Sequence, residues 1–296
     1  MHKKRFSNQS FALACALFLS AANSFAGLHA VLVNKKTNQA FLTEYRTGGL
    51  EIIKTYHSTL GKVVGDKLIT DDKKTPEGIY FVTAKRTPPN LLKKFGAMAF
   101  PVDYPNVMDR MEKKTGFGIM LHSTDDPSRL KRDYDSDGCV VVDNHEIKEM
   151  DPYIRLGLTP MIVYEDMKKE YLTESYKPKV KQLFENWLAA WRGKDIDGYI
   201  KAYHEDFKNK GMGVSAYKSY KSSLNQKYER IEVKADNIHY FYHPKYDVVT
   251  FTQDYQSYNK AGKSLFRSAG TKYLYIKADA SGNPGIIHED FNHISE

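Results

Sequence analysis

The sequence predicts an α+β protein of two dissimilar halves, and three observations predict it. Its 296 residues exceed what one small core usually holds. Between residues 27 and 165, short runs of β-branched and aromatic residues alternate with Gly, Pro, Asn and Asp clusters, the pattern of strands and turns. Further on, Leu183, Trp187 and Trp191 recur every four residues with Phe184 and Leu188 beside them, which marks the apolar face of a helix.

Residues 1–26 read as a secretory signal, with a basic start at His2, Lys3, Lys4 and Arg5, an apolar run over 11–19 and the small-x-small cleavage site Ser24-Phe25-Ala26. The apolar run falls short of the ~20 residues that span a bilayer. No transmembrane anchor is therefore expected after signal removal. The mature chain is expected to begin at Gly27 and to be periplasmic.

Strands are expected over residues 30–33, 39–45, 50–57, 79–83, 118–121, 140–142 and 161–164. The stretch 85–116 carries Pro88, Pro89, Pro101 and Pro105 and reads as one long irregular connection. Phe95, Met98, Phe100 and Tyr104 within it favour a packed lid over a disordered insert. A charged segment, 166–179, marks the boundary, so the halves are expected at 27–166 and 175–296. In the second half, Gly193 ends the first helix and another follows near 196–203. Strands are expected over 230–242, 246–258, 264–277 and 285–291, separated by turn signals such as His243-Pro244 and Ser281-Gly282-Asn283-Pro284. Helices followed by a four-stranded sheet make this half α+β.

Hydrophobic residues at 41% and charged residues at 27% are ordinary for globular protein and argue against both disorder and an integral membrane protein. Losing Lys3, Lys4 and Arg5 with the signal lowers the formal charge from +8 to +5. No dense basic run is interleaved with stacking aromatics, so nucleic acid is not an expected partner. Attraction to an anionic wall polymer is compatible with this charge. His239 and His243 are four apart on an expected strand, which is not a metal-site spacing, and no zinc motif occurs. Tyr240, Tyr242, Tyr273 and Tyr275 are read chiefly as core, with a ligand pocket as the alternative.

Removing the signal also removes Cys15 and leaves Cys139 as a lone thiol in an oxidising compartment. Such a thiol is a buried inert residue, a site of intermolecular pairing, or a nucleophile. The neighbouring sequence bears on the choice. Gly118-Ile119-Met120-Leu121 is an apolar strand that ends at His122-Ser123, and Ser136-Asp137-Gly138-Cys139 leads into the apolar run 140–142. Two strand ends can set imidazole and thiol side by side, with Gly138 allowing a tight backbone approach. A thiol of pKa about 8.5 needs a base to become an effective nucleophile, and His122 is the candidate. The imidazole in turn needs a group to fix its tautomer: the Ser123 carbonyl, Asp125 or Asp137. The N–H groups of Gly138 and Cys139 are candidate oxyanion donors. Arg129 and Arg132, in the loop between His122 and Cys139, could hold a substrate carboxylate through paired donors, or simply form a solvated loop face.

These residues resemble the L,D-transpeptidase (YkuD) family, whose active-site pattern is a strand-end His, a loop of this length and Ser/Thr-x-Gly-Cys. The resemblance extends to Gly61-Lys62, Gly65-Asp66-Lys67, residues 72–80 and Tyr104-Pro105-Asn106, and covers most of residues 28–165. It implies a β-rich sandwich with Cys139 as the acylated nucleophile, His122 as its base, the Ser123 carbonyl as the orienting group and no cofactor. Gly138 accompanies them in the motif, and Tyr104 and Ser136 join Arg129 and Arg132 as expected substrate-binding residues. The family attacks the carbonyl of the L-centre of a diamino acid in peptidoglycan stem peptides and expels D-Ala. Water as acceptor gives an L,D-carboxypeptidase, and an amine gives a crosslink. Many transpeptidases carry Ser-His-Gly-Cys, whereas Asp137 stands at the second position here, a pattern closer to the branch that trims stems or releases wall-bound lipoprotein. The second half resembles nuclear transport factor 2-like cones. The pairing is similar to the cell-shape-determining L,D-carboxypeptidases of helical bacteria, which makes carboxypeptidase the expected activity and a wall-binding scaffold the rival. A homodimer or a protein partner through the second half is compatible with this reading.

Overall fold

The computed structural model describes residues 27–293. The expected signal segment lies outside the described residues. The chain runs β1 (His29–Asn34), β2 (Gln39–Arg46), β3 (Gly49–His57), β4 (Leu60–Gly61), β5 (Gly78–Phe81), β6 (Ala99–Pro101), α1 (Val107–Met111), β7 (Met120–His122), β8 (Tyr134–Ser136), β9 (Val140–Val141), α2 (Asn144–Met150) and β10 (Pro160–Tyr164). It continues with α3 (Pro178–Arg192), α4 (Ile196–Lys201), α5 (Val214–Lys227), β11 (Arg230–Phe241), β12 (Asp247–Tyr258), β13 (Ser264–Ala278) and β14 (Pro284–His293).

Four layers result. A five-stranded sheet in the order β3-β2-β1-β10-β5 packs one face on the small sheet β6-β7-β9. Its other face packs on the four-stranded sheet β11-β12-β13-β14, whose far side is covered by the helices. The sequence of β1 shows why. Side chains alternate along a strand, so Val31 and Val33 enter the core shared with the small sheet, while Ala30 and Leu32 enter the core shared with the C-terminal sheet. In β10 the same split sends Met161 and Val163 one way and Ile162 and Tyr164 the other. A strand covered on both faces has no polar side, which explains these unbroken apolar runs.

The two halves therefore share a core. Phe241, Val248, Tyr273, Tyr275 and Ile287 pack against Phe41, Ile79, Phe81 and their neighbours. Tyr240 and Tyr242 instead face the helices. The four tyrosines thus divide between two cores.

In α3, Val180, Phe184, Trp187 and Leu188 are buried, Pro178 begins the helix and Gly193 ends it. Trp187 Nε1 donates to the Tyr203 hydroxyl at 3.0 Å, which satisfies the indole in the core. Helix α5 was not anticipated, because only Tyr217 in it is buried and its apolar period is correspondingly weak.

The stretch 85–116 corrects the expectation of a lid. It supplies β6, which pairs antiparallel with β7, and α1, which is capped reciprocally by Asn106 and Asp109. Met98, Phe100 and Tyr104 are buried in the core shared by the two N-terminal sheets. Four prolines obscured a strand of only three residues.

Candidate active site

The site grows out of the parallel pairing of β7 and β9, with Leu121 opposite Val140 and His122 opposite Val141. Leu121 and Val140 point into the core. Met120 and Cys139 pack with Leu91, Phe95 and Ala99 on the opposite face, and strand alternation gives His122 the same face as Met120. His122 and Cys139 thereby line one cleft of about 540 Å³, together with Lys94, Phe95, Phe117 and Arg129.

His122 is buried, and its Nδ1 lies 2.5 Å from the Ser123 carbonyl oxygen. A carbonyl only accepts, so Nδ1 carries the ring proton and Nε2 is the basic nitrogen. Ser123 is itself fixed. Its Oγ accepts from Ala97 N at 2.9 Å, and Asn144 Oδ1 accepts from the same N–H at 2.8 Å. The Asn144 amide then donates to the Thr124 carbonyl at 2.9 Å. The ring of Phe95 meets the imidazole edge-on at 4.9 Å. Burial lowers the His122 pKa to about 4 against the opposing Ser123 hydrogen bond, with Arg129 and Lys94 adding to the depression.

Cys139 is a partly buried free thiol whose Sγ donates to the Gly118 carbonyl at 3.5 Å. Burial pushes its pKa up to about 11. The resting pair is thus neutral imidazole and neutral thiol.

Ser136 staples the loop that presents the thiol. Its Oγ donates to the Cys139 carbonyl at 2.6 Å and accepts from Gly138 N at 3.1 Å. Gly138 has φ +123°, and a Cβ there would lie 2.7 Å from the Lys74 carbonyl oxygen, so conformation and space both require glycine. The Gly138 N–H is engaged with Ser136, which leaves the Cys139 N–H as the candidate oxyanion donor of the two amides considered.

The remaining candidates separate. Arg129 lines the cleft, but its guanidinium is held by the Asp135 carboxylate and carbonyl, each at 3.0 Å. Arg132 is exposed, pairs with Asp135 at 3.1 Å and is not among the cleft-lining residues. Tyr104, expected to touch substrate, is a core residue instead: its ring packs edge-on against Tyr80 and its hydroxyl donates to the Thr115 carbonyl. Ser136 reaches the cleft but spends its hydroxyl on the Cys139 loop. Asp137 lies at the exposed edge of the cleft and pairs with Lys62 at 3.2 Å, and the Ser123 carbonyl, not a carboxylate, holds the imidazole.

Sequence reasoning did not single out Lys94, a cleft residue that makes no ion pair among the described residues and lies over the Phe95 ring. It sits in the proline-rich stretch, where no periodicity marks it. Among the described residues no group of three or more His, Cys, Asp or Glu is placed to hold a metal ion, and no helix is long and apolar enough to cross a membrane. A second cavity, of about 370 Å³, opens in the C-terminal half and is lined by Trp191, Tyr199, Lys221, Tyr255 and Lys272. None of the four tyrosines considered from sequence lines it.

Comparison with known proteins agrees with this layout. Residues 29–163 match the family described as the YkuD L,D-transpeptidase catalytic domain, and residues 179–290 match the Cds6 C-terminal NTF2-like domain. The structure of Bdellovibrio bacteriovorus Bd1075 is 31% identical, with 91% of this chain and 94% of that chain covered and a TM-score of 0.75. The helical cell shape determining protein Pgp2 from Campylobacter jejuni is 25% identical, with 89% of this chain and 91% of that chain covered and a TM-score of 0.68. A search of curated proteins gave no match. The chain belongs to the L,D-transpeptidase (YkuD) family of peptidoglycan-modifying enzymes and carries an NTF2-like domain after the catalytic one.

Proposed function

We propose that this protein is a peptidoglycan L,D-carboxypeptidase that uses Cys139 as nucleophile and His122 as its base. The observation that carries the reading is the shared cleft face of the two residues, with the Ser123 carbonyl fixing the imidazole so that Nε2 is free to take a proton. In the first step the thiol proton passes to His122 Nε2 as Sγ bonds to the carbonyl carbon at the L-centre of the third stem residue. The tetrahedral oxyanion is held by the Cys139 N–H. The imidazolium then protonates the leaving D-Ala nitrogen, the C–N bond breaks and a thioester remains. In the second step His122 takes a proton from water, hydroxide attacks the thioester carbonyl, and the C–S bond breaks as the thiol is restored. The net change is hydrolysis, with no oxidant or reductant.

Water as acceptor is favoured by the Ser-Asp-Gly-Cys pattern and by the NTF2-like partner domain, an arrangement similar to Pgp2, whose description as a cell shape determinant makes wall trimming the matching role. Residues 27–166 would form the catalytic unit and 175–296 the accessory one, exported to the periplasm by the 1–26 signal.

The test is incubation of the protein and its Cys139→Ala variant with tetrapeptide, crosslinked and lipoprotein-linked muropeptides, with products identified by mass. Tripeptide from the wild type alone supports the carboxypeptidase. Exchange or dimer products would make it a transpeptidase, and release of a wall-linked peptide alone would make it a lipoprotein-releasing hydrolase. No turnover of any stem would leave a wall-binding scaffold.

A further inference from the structure

We infer that Lys245, on the hairpin between β11 and β12 of the C-terminal domain, is a positioning residue for the Cys139 site, so that the accessory domain completes the catalytic one. This rests on the proposed chemistry at Cys139 and extends it across the domain boundary.

The connection can be followed bond by bond. Part of the cleft wall beside Cys139 comes from the segment 60–77, through Lys62, Lys67, Thr70 and Asp71. Leu60–Gly61 pairs with Tyr134–Ser136, Lys62 N donates to the Ser136 carbonyl at 2.8 Å, and the Lys74 carbonyl lies against Gly138. Leu60 anchors the start of this segment in the core, but beyond it Val63, Val64, Leu68 and Ile69 are exposed. Polar ties hold it instead. Lys35 Nζ donates to the carbonyls of Gly65 and Thr75 at 2.5 and 2.9 Å and to Glu77 at 2.8 Å. Asp66 accepts from Glu77 N at 2.8 Å and from Lys114 Nζ at 2.8 Å.

The last tie comes from the other domain. Lys245 Nζ donates to Asp66 at 2.6 Å and lies 3.3 Å from Glu77, so one ammonium bridges the two carboxylates that close the loop. Lys35 pairs with Glu77 and Lys114 is shared between Asp66 and Asp109, so the Lys245 ammonium is the third cation against these three carboxylates.

The hairpin that delivers Lys245 is itself pinned to the catalytic domain. The His243 ring lies 3.0 Å from the Val163 carbonyl through Nε2 and accepts from Lys245 N at 3.2 Å through Nδ1. Tyr246 accepts from Ile79 N and from the Asn106 amide, both at 2.8 Å. Tyr164 donates to the Tyr242 carbonyl at 2.8 Å. The Lys245 ammonium is thus held at a fixed place against the back of the cleft wall, and losing it frees the wall that packs on Gly138.

The experiment uses the full chain with Lys245→Ala and Lys245→Arg, measured well below their melting temperatures. Two readouts are taken: kcat and KM on tetrapeptide muropeptide, and the rate of Cys139 alkylation by iodoacetamide across pH. Lys245→Ala is expected to lower kcat by about tenfold to a hundredfold, the scale of a small misplacement of reacting groups. KM should change less, the alkylation profile should shift, and Lys245→Arg should restore most of the loss. Folded Lys245→Ala with kcat and alkylation both within about twofold of wild type would overturn the inference and leave the ion pairs as interdomain glue. If wild type turns over no stem peptide, the functional reading fails, and the alkylation comparison alone still decides whether Lys245 positions the thiol.

Discussion

His122 Nδ1 sits 2.5 Å from the carbonyl oxygen of Ser123, the next residue in the chain. A base so oriented by main chain carries no partner charge to stabilise its protonated form, unlike one held by a carboxylate. That agrees with the lowering of its pKa to about 4 and with a thiol pushed up to about 11, each chiefly by burial.

The pH dependence of thiol reactivity follows. A raised thiol pKa means that little thiolate exists near neutrality and that it grows as pH rises toward 11. Alkylation of Cys139 should therefore climb through the alkaline range with no plateau between about pH 5 and 8, where an activated thiolate would show one. Activity should be lost on the acid side as His122 is protonated near 4. A plateau at neutral pH would show that a thiolate and imidazolium pair already stands in the free enzyme.

Gly138→Ala should be doubly unfavourable. The residue holds φ +123°, and the new methyl would meet the Lys74 carbonyl at 2.7 Å. We expect a stability loss of about 1–3 kcal/mol, read from urea midpoints, with a larger fall in kcat than in substrate affinity. Unchanged turnover would show that the loop tolerates movement at the thiol.

Lys94 and Arg129 should behave differently. Lys94 is the cleft cation without an ion pair among the described residues, whereas the Arg129 guanidinium is committed to Asp135. Lys94→Ala should raise KM for carboxylate-bearing stems by roughly tenfold at low ionic strength, the worth of one charge-assisted contact, with kcat little changed. Arg129→Ala should lower kcat through the 124–136 loop. Steady-state kinetics on both variants separate the two roles.

Acid stability should report His243. Burial, assisted by Lys245, lowers its pKa to about 3 from an ordinary 6.5, so the folded protein holds it neutral where the unfolded chain would protonate it. Its contribution is complete above about pH 6.5 and declines as pH falls toward 3, by at most about 1.4 kcal/mol per pH unit. Asp103 and Asp247, raised by burial to about 7 and about 6, act in the opposite sense over part of that range. The test is therefore the difference between wild type and His243→Gln, whose denaturation midpoint should rise relative to that of wild type as pH falls from 7 to 5. Parallel profiles would remove His243 from the account.

Much was legible in the chain itself because it is written in local periods. The short β-branched and aromatic runs between turn residues, the four-residue period of α3 and the strand-end His122 and Gly138-Cys139 are short-range patterns, and the pairing rules of sheets bring the last two to one cleft face. The three-residue β6 and the weakly amphipathic α5 escaped for the converse reason, since their own residues carry little period and their partners hold them.

The two kinds of half, the elements carrying imidazole and thiol, and the family pattern around them could all be read from the residues in order. The Ser123 carbonyl that the resemblance implied does hold His122, whereas only the packed fold decided that Tyr104 is core, that Arg129 is committed to Asp135, and that Lys245 closes a loop 179 residues away. The physical reason is that each of these is a choice among chemically equivalent partners. Hydrogen bonds and ion pairs form with whichever group the packing of the layers brings within reach, and sequence spacing carries no record of that distance.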